Sequence, residues 1–349
     1  MRLLNCMWST KPAFKSVHLV LSNFINAVAP DDQASFFLIG DTNKQNLLAN
    51  AESFHSSKKA TRKIVSAYFL RKRWLSKIAA WQPDLVIIDG ISMAHLLLPV
   101  LEKYKKSSVL IYVHGQARLR RRDFKLLTKK YPFSLKLVAV SQTLAADIQR
   151  QLPQSNVLAI PTYLNLPEFT PQPKVQHDTV VFGAVGRLVD DKNFSILLDC
   201  VSQLAKKNLP VFLEIAGYGK NQQLLQDKIT QLGLSHNVTL LGYITDTATF
   251  YQSIDVLLVP SFQEGLGLVI QEAIHYKKPV ICSDILVFKE QLAQAGVYCN
   301  AYDAEQWSRA CESYMSEKAI NDLFELQCAQ YEKYNNSKLF RQRCIRACL

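Results

Sequence analysis

Two cations follow an apolar run in the second half of the chain. Arg187 and Lys192 come soon after Val180–Val185, within six residues of each other. An arginine can bind two phosphate oxygens with its planar guanidinium group, while a lysine supplies a mobile point charge. This pair is therefore a candidate for holding a diphosphate. The alternative is a pair of surface cations bridged to Asp190 or Asp191.

Two glutamates in the segment 260–284 are further candidates. Glu264 precedes a helix predicted over 268–276, so the free N–H groups and the positive dipole end of that helix would lie beside it. Glu272 lies within the helix among apolar residues, where a carboxylate needs hydrogen-bond donors. A ribose would supply two hydroxyl donors, and the helix N-terminus would bind a diphosphate. The alternative is an ordinary exposed helix glutamate.

A strand–turn–helix junction at Gly217-Tyr218-Gly219-Lys220 is a weaker candidate. Backbone N–H groups at such a junction can bind an anion or the edge of a ribose. The segment lacks the third glycine of the dinucleotide-binding fingerprint and lies far from the amino terminus. The pattern therefore favours a structural turn over a binding site.

The elements that would position these residues are short apolar runs that alternate with helix-length amphipathic segments. Nearly continuous apolar runs are typical of strands in a parallel sheet covered on both faces. The alternation predicts an α/β protein with two doubly wound Rossmann-like domains, whose ligands bind beyond the carboxyl ends of the strands. Strands are predicted at 35–40, 85–89, 109–113, 137–141, 180–185, 211–216, 237–241, 255–260 and 280–283, and helices at 61–80 and 143–151.

The domain boundary is predicted where prolines cluster and the apolar periodicity lapses, between residues 161 and 178. We expect an N-terminal domain over 1–168, a C-terminal domain over 169–335, and a helix over 336–349 that packs back toward the N-terminal domain. The charge changes at the same place, because residues 1–170 carry a formal charge of +14 and residues 171–349 carry −2. A basic domain could meet nucleic acid, an anionic membrane surface or an acidic substrate.

The composition narrows the class of protein. No stretch reaches the ~18 apolar residues needed to span a bilayer, and the apolar run near the start is too short for a secretory signal. The eight cysteines show neither paired spacings nor a zinc pattern, so reduced thiols in a cytoplasm are expected. Nothing resembles an Asp-x-Asp metal clamp, and neither a metal nor another cofactor is expected.

Taken together, these segments resemble the retaining glycosyltransferases of family 4, which have the GT-B fold. The resemblance covers residues 178–300 closely and is looser over the first half of the chain. The two glutamates match the E-x7-E motif of that family. The motifs that carry the resemblance are Val185-Gly186-Arg187 with Lys192-Asn193, Ala216-Gly217-x-Gly219, and Pro260-Ser261-x-x-Glu264-Gly265-x-Gly267 through Glu272-Ala273.

The resemblance implies two domains that face each other across a cleft, and a role for each charged residue. Arg187 and Lys192 would hold the diphosphate and stabilise it as it leaves. Glu264, with backbone amides of the loop that follows it, would contact the donor sugar and phosphate, and Glu272 would hold the ribose. The residues that would bind the donor nucleotide are Gly186, Gly217, Gly219, Gly265, Leu266, Gly267 and Glu272.

The first half matches the family at one turn and departs from it at two others. The resemblance implies that His114, in a His-Gly turn after a strand, lies over the donor sugar; a packed turn histidine is the alternative. Asp89, at the end of the preceding strand, would line the acceptor side. The glycine-rich loop of the family is replaced by the glycine-free segment 8–12, where Lys11 could replace loop amides. The family's Pro-Asn-Gly is replaced by Pro161-Thr162-Tyr163.

Two basic segments of the first half suggest a further partner. Residues 58–77 carry eight Lys or Arg with aromatic residues between them and no acid, and residues 118–130 carry seven with Asp123 as the only acid. Such stretches suit an anionic membrane surface. A phosphorylated or acidic glycan acceptor is the alternative, nucleic acid is a poorer match, and a solvated helix face is also open.

From the resemblance and the charge pattern we expect a retaining, metal-independent glycosyltransferase. It would move a sugar from a nucleotide diphosphate sugar to a glycan or lipid-linked acceptor in lipopolysaccharide or other surface polysaccharide synthesis. We expect it in the cytoplasm, at the inner face of the cell membrane. Two alternatives stay open: a sugar-nucleotide epimerase or phosphorylase of GT-B architecture, and a non-catalytic membrane- or nucleic-acid-binding protein.

Overall fold

The chain forms two compact units, Met1–Leu164 with Asn336–Leu349, and Asn165–Asn335. The first unit holds 28 Lys and Arg against nine Asp and Glu, a net charge of +19, while the second holds 13 against 20, a net charge of −7. The charge is thus divided more sharply between the units than between the halves of the sequence. The computed structural model describes residues 2–7, 15–28, 34–38, 51–53, 64–104, 107–115, 118–164, 166, 168–170 and 178–349.

The first unit contains a parallel sheet. Its strands within the described residues are β1 (Leu3–Met7), β2 (Ala34–Leu38), β3 (Ala51–Ser53), β4 (Leu85–Asp89), β5 (Ser108–Val113), β6 (Leu135–Ala139) and β7 (Val157–Ala159). They lie in the order β3-β2-β1-β4-β5-β6-β7. The chain direction across the sheet reverses between β1 and β4, which pair in register from Leu3 with Leu85. The carboxyl ends of these two strands therefore border a topological switch point.

Helices cover both faces of this sheet. The connections β3–β4, β4–β5 and β5–β6 all advance in one direction across the sheet, and right-handed crossovers place their helices on one face. The β1–β2 helix lies on the other face, where the last helix of the chain packs on it. The helices of the first unit are Lys15–Val28, Ile64–Trp81, Gly90–Tyr104, Arg121–Leu127, Gln142–Gln151 and Ser337–Cys348.

The last helix is held to the first unit by apolar packing and by a hydrogen bond from Lys136. It buries Phe340, Cys344 and Ala347, and the ring of Phe340 lies 6.1 Å from that of Tyr163. Lys136 Nζ donates a hydrogen bond to the carbonyl oxygen of Ala347 at 3.0 Å. The segment 336–349 thus extends the core of the unit that contains the amino-terminal sheet.

The second unit contains a second parallel sheet of the same kind. Its strands are β8 (Val180–Val185), β9 (Val211–Ala216), β10 (Val238–Gly242), β11 (Val256–Val259), β12 (Val280–Ser283) and β13 (Val297–Cys299), in the order β10-β9-β8-β11-β12-β13. The direction reverses between β8 and β11, so a switch point lies beyond their carboxyl ends. The helices are Ser195–Lys206, Gln222–Gln231, Thr247–Ser253, Leu268–His275, Leu286–Leu292, Ala304–Glu312 and Glu317–Tyr334, with 3₁₀ turns at Asp190–Lys192 and Ala293–Ala295.

The core of the second unit lies on both faces of its sheet. Phe182 and Leu213 point into one apolar cluster with Trp307, while Leu257 points into another with Phe288. Alternate residues of a strand point to opposite faces, so strands buried on both faces must be apolar throughout. This explains why the strands read as continuous apolar runs.

The fold class predicted from the sequence is confirmed, since both sheets are parallel, doubly wound and covered by helices. Four strands, 85–89, 180–185, 211–216 and 280–283, have the predicted bounds, and the described ends of the other predicted strands lie within two residues of the prediction. The strands β1, β3, β7 and β13 were not predicted. The last three have only three residues each, too few to show a period. Among the described residues, no helix combines the length and apolar character required to cross a membrane.

Candidate functional site

Lys192 and Glu264 form an ion pair at the switch point of the second sheet. They lie on the loops that follow β8 and β11, and Lys192 Nζ contacts Glu264 Oε1. Ser261 Oγ donates a second hydrogen bond to the same oxygen at 2.9 Å. The two charged side chains are only 18% and 13% exposed. The structure therefore brings together two residues that the sequence separates by 72 positions.

Backbone contacts hold these two loops in place. The N–H of Phe262 donates to the carbonyl oxygen of Asp191 at 2.9 Å. Asn193, which ends the 3₁₀ turn in the left-handed conformation at φ 52°, donates its side-chain N–H to the carbonyl oxygen of Ala301 at 2.7 Å. Because asparagine tolerates this conformation better than most residues, it both ends the turn and joins it to the segment after β13.

The side chain of Arg187 is exposed and makes no hydrogen bond or ion pair with any described residue. The alternative in which Arg187 and Lys192 are bridged to the neighbouring aspartates is not observed among the described contacts. Lys192 pairs with Glu264, and Asp190 pairs with Lys220 instead. The hydrogen bonds from Lys220 and Asn221 lower the pKa of the Asp190 carboxyl. The guanidinium group of Arg187 thus lies exposed after the carboxyl end of β8, with no anionic partner among the described residues.

Gly217 and Gly219 are required by close packing between two loops. A Cβ atom at Gly217 would overlap the carbonyl oxygen of Gly186, and one at Gly219 would overlap the backbone of Leu188. The N–H of Leu188 donates to the carbonyl oxygen of Tyr218 at 3.1 Å. These two glycines therefore position the loop that carries Arg187. This is a structural role, as the sequence favours for the turn at 217–220.

The helix Leu268–His275 presents its N-terminus just after Glu264. Gly267 precedes the helix with φ 82°, and a Cβ atom there would clash with the ring of Phe288. Gln291, itself fully buried, donates its side-chain N–H to the carbonyl oxygen of Leu266. The segment Gly265–Gly267 is buried. The free N–H groups of the first helical turn are therefore held at a fixed place in the chain shortly after Glu264.

Glu272 is half-buried and accepts a hydrogen bond from Tyr251. The distance from the Tyr251 hydroxyl to Glu272 Oε2 is 3.0 Å. Tyr251 is fully buried, and this burial, together with the neighbouring carboxylate, raises the pKa of its hydroxyl well above the ordinary value. The alternative of an ordinary exposed glutamate is therefore not observed. Sequence reasoning missed Tyr251, because nothing in a single tyrosine on a preceding helix signals this partner.

His114 lies at the carboxyl edge of the first sheet, after β5. Its Nε2 is 3.2 Å from Asp89 Oδ1, at the end of the neighbouring strand β4. The two groups are at ion-pair distance but lack hydrogen-bond alignment. The His114 ring stacks on buried Tyr112, with centroids 5.6 Å apart. The structure thus joins His114 and Asp89, which the sequence predicted separately.

The two basic segments share one face of the first sheet. Helix Gly90–Tyr104 contacts both Ile64–Trp81 and Arg121–Leu127, and His95 hydrogen-bonds Asp123 at 2.7 Å. Trp74 is buried, so it belongs to the core and not to the basic surface. Exposed side chains of these segments are Phe69, Lys72, Arg73, Lys77, Arg118, Arg120, Arg121, Arg122, Lys125, Lys129 and Lys130.

Some predicted features lie outside the described residues. These are the glycine-free segment 8–12 with Lys11, and the basic residues Lys58, Lys59, Arg62 and Lys63. Within the part of the chain that is described, no three His, Cys, Asp or Glu side chains are grouped as a metal site. The described cysteines are unpaired thiols, six of them buried.

Sequence comparison finds relatives that match the second unit. Residues 167–335 match the family model of glycosyl transferases group 1. An uncharacterized glycosyltransferase of Methanocaldococcus jannaschii is 32% identical over 164 residues, which are 43% of this chain and 42% of that protein. The lipopolysaccharide core biosynthesis glycosyltransferase LpsE of Rhizobium meliloti is 30% identical over 145 residues, 41% of this chain and 42% of that protein. The chain spans less than half the length of these relatives.

Structural comparison finds the same fold over almost the whole chain. The crystal structure of Anabaena HepE in complex with UDP has a TM-score of 0.81 at 16% identity, and covers 98% of each chain. The lipopolysaccharide outer core galactosyltransferase WaaB in its apo form has a TM-score of 0.75 at 16% identity, and covers 99% of each chain. The fold is therefore GT-B, an architecture of two doubly wound α/β units.

Proposed function

We propose that this protein is a glycosyltransferase that moves a sugar from a nucleotide diphosphate sugar to a glycan or lipid-linked acceptor. The observation that carries the proposal is the Lys192–Glu264 ion pair at the switch point of the second sheet, beside the N-terminus of helix Leu268–His275. Ligands of open α/β sheets bind at such a place. Cations and free helix N–H groups there suit a diphosphate.

The donor is a uridine diphosphate sugar in this proposal, and the product belongs to lipopolysaccharide or another surface polysaccharide. Support for the nucleotide comes from the UDP held by HepE. Support for the product comes from LpsE, a glycosyltransferase of lipopolysaccharide core biosynthesis, and from WaaB, a galactosyltransferase of the lipopolysaccharide outer core. Glu272 holds the ribose, and backbone amides of the segment Gly265–Gly267, before helix Leu268–His275, meet the sugar phosphate.

The reaction breaks the bond between the sugar C1 and the diphosphate oxygen and forms a bond from C1 to an acceptor hydroxyl oxygen. Arg187, Lys192 and the helix N-terminus neutralise the charge that develops on the departing diphosphate. The departing phosphate takes the proton of the acceptor hydroxyl on the same face of the sugar, so that the anomeric configuration is retained. Glu264 contacts the donor sugar. No step of this proposal uses a divalent ion.

An anionic membrane surface is the proposed location of the acceptor. The first unit carries a net charge of +19, and its basic segments lie on one face with Phe69, whose exposed fraction is 64%. Exposed cations with an apolar anchor bind anionic headgroups, and each cation near the surface contributes about 1 kcal/mol.

Binding and product analysis test the proposal. UDP, GDP, ADP and their glucose conjugates are screened by thermal shift, since a ligand that binds the folded protein raises its melting temperature. The protein is then incubated with the sugar nucleotide that binds and with membrane extract containing lipid-linked glycans, with and without EDTA. Transfer to the glycan in both conditions supports the proposal. Conversion of the donor alone to a second sugar nucleotide would indicate an epimerase, and phosphate-dependent cleavage a phosphorylase. Binding to none of the nucleotides would overturn the assignment.

A further inference from the structure

Tyr251 is a buried residue that the proposed reaction does not use. It lies on helix Thr247–Ser253 and has no exposed surface. Its ring stacks nearly parallel on that of Tyr276, with centroids 5.0 Å apart and an interplanar angle of 13°. Its hydroxyl lies 3.0 Å from Glu272 Oε2 and 3.4 Å from the carbonyl oxygen of Val269. A rigid hydroxyl group is thus placed against the carboxylate that the proposed function assigns to ribose.

The chemistry of this contact makes Tyr251 the donor and Glu272 the acceptor. A buried phenol hydroxyl needs a hydrogen-bond partner, and a hydrogen bond to an ionised group is stronger than one between neutral groups. Because burial and the nearby carboxylate raise the pKa of Tyr251, the hydroxyl keeps its proton. A carboxylate offers about four lone-pair positions, and Tyr251 takes one of them.

The contact also restricts the glutamate. A glutamate side chain has three rotatable bonds, and fixing them in one geometry costs conformational entropy. Tyr251 has only two such bonds, and its ring is held by the stack on Tyr276. The tyrosine is therefore the fixed partner, and its hydrogen bond selects one orientation of the Glu272 carboxylate before a ligand arrives.

We propose that Tyr251 is a positioning residue for Glu272. Its hydroxyl holds the carboxylate in the orientation that accepts hydrogen bonds from the ribose hydroxyls of a ribonucleoside diphosphate. Tyr251 thereby contributes to the preference for ribose over a sugar that lacks these hydroxyls. This inference rests on the proposed function, because it requires that Glu272 hold the ribose.

The test compares a ribonucleotide with its deoxy analogue. The probe is whichever of UDP, GDP or ADP gives the largest thermal shift, together with its 2′,3′-dideoxy form, and both are titrated by calorimetry. We expect the wild-type protein to bind the ribonucleotide at least about tenfold more tightly, the order expected for a hydrogen bond to a charged group. We expect Tyr251→Phe to lower this preference by a factor of about three or more.

A matched control separates positioning from packing. Tyr276→Phe removes the same atom from the ring stacked on Tyr251, and no hydrogen bond from Tyr276 to Glu272 is among the described contacts. We expect this variant to keep the wild-type preference. An equal loss in both variants would assign the effect to packing and overturn the inference.

The remaining outcomes distinguish the inference from the proposed function. If the wild-type preference is present and Tyr251→Phe retains it, then Tyr251 does not position Glu272, even if both nucleotides bind more weakly. If the wild-type protein shows no preference, the ribose role of Glu272 is wrong and the inference fails with it. If no nucleotide binds, the donor assignment itself fails. In a Glu272→Ala protein we expect no preference and no further change on adding Tyr251→Phe.

Discussion

Lys192 and Glu264 follow two neighbouring strands of the second sheet and meet as an ion pair that is largely removed from solvent. A charge in such a place requires a partner, since desolvation penalises it. Ser261 adds a hydrogen bond to the same carboxylate oxygen. The cation that is proposed to hold a diphosphate thus has an anionic partner within the protein, and a diphosphate would compete with that partner.

Glu264→Gln should therefore tighten the binding of a nucleoside diphosphate while slowing transfer. The substitution removes a negative charge from the place where phosphate binds and leaves Lys192 without its partner. Attraction between unit charges near a protein surface is a few kcal/mol at most, so we expect the UDP dissociation constant to fall about three- to tenfold in calorimetry. The turnover number should fall, because the contact with the donor sugar is lost. The control is Glu290→Gln, which removes the same charge at another glutamate. Weaker UDP binding in Glu264→Gln would contradict the prediction.

Arg187→Ala should depress turnover without affecting stability. The side chain of Arg187 is exposed and has no hydrogen bond or ion pair with a described residue, so its loss leaves the fold intact. Removing one group that stabilises transition-state charge costs about 10²–10³-fold in turnover, which steady-state kinetics with the donor identified by thermal shift would measure. Arg309→Ala, in which an exposed cation paired with Glu305 is lost, should keep full activity. An unchanged turnover number in Arg187→Ala would show that the guanidinium does not act on the leaving group.

The fold could be predicted from the sequence because strands buried on both faces leave a clear signal. Val180–Val185 and Leu85–Asp89 are continuous apolar runs of strand length, and their bounds need no tertiary information. The strand Val297–Cys299 has only three residues. It is set by pairing with β12, which the local sequence does not show.

The candidate site was predictable only in part. Residues that follow strand ends, such as Arg187 and Glu264, can be found from the sequence, because parallel strands deliver them to one edge. The partner of each residue depends on loop geometry. The pairing of Lys192 with Glu264, and not with the adjacent aspartates, results from the packing of two loops. The hydroxyl of Tyr251 reaches Glu272 from another helix, and no sequence spacing predicts that contact.

Gly217→Ala should destabilise the second unit. The new methyl group would overlap the carbonyl oxygen of Gly186, and a backbone atom in a strand-end loop cannot move away as a side chain can. Overpacking of this kind costs about 1–3 kcal/mol, which corresponds to a decrease in melting temperature of several degrees. Calorimetry would measure it. Gly115→Ala is the control, since a Cβ atom there would meet nothing within 4 Å. Equal melting temperatures for the two variants would show that the loop relaxes.

Asp123 should stabilise the first unit in a pH-dependent way. Burial by itself would raise the pKa of its carboxyl, but the hydrogen bonds from His95 and from the N–H of Arg120 outweigh this and lower the pKa below its ordinary value. A carboxyl with a lowered pKa contributes stability above its unfolded value of about 3.9, and this contribution is lost as the pH falls through the folded pKa.

Urea unfolding of wild-type protein and Asp123→Asn at several pH values would measure this contribution. The difference in free energy of unfolding should be largest above about pH 5 and should shrink below about pH 4. In a His95→Ala background the difference should be smaller at every pH, because one hydrogen bond to the carboxylate is absent. A difference that grows on acidification would contradict the assigned sign.

The face of the first unit that carries the two basic segments should bind anionic vesicles. The loss of three cations from this face should weaken the binding more than the loss of three cations elsewhere on the same unit. The test variant replaces Arg118, Arg121 and Lys125 by glutamine, all of which are exposed. At about 1 kcal/mol per cation, the partition coefficient onto vesicles with phosphatidylglycerol should fall about 10²-fold. Binding should also weaken as salt is raised, because exposed charges are screened.

The control for this experiment is a variant of helix Ser337–Cys348 in which Lys338, Arg341 and Arg346 become glutamine. These cations are also exposed, and the change in net charge is the same. The helix packs on Lys15–Val28, on the other face of the sheet. Since a flat membrane can meet only one of two opposite faces, the control should keep most of its vesicle binding. Equal losses in both variants would mean that net charge alone drives the binding, and a loss confined to the control would place the membrane on the opposite face.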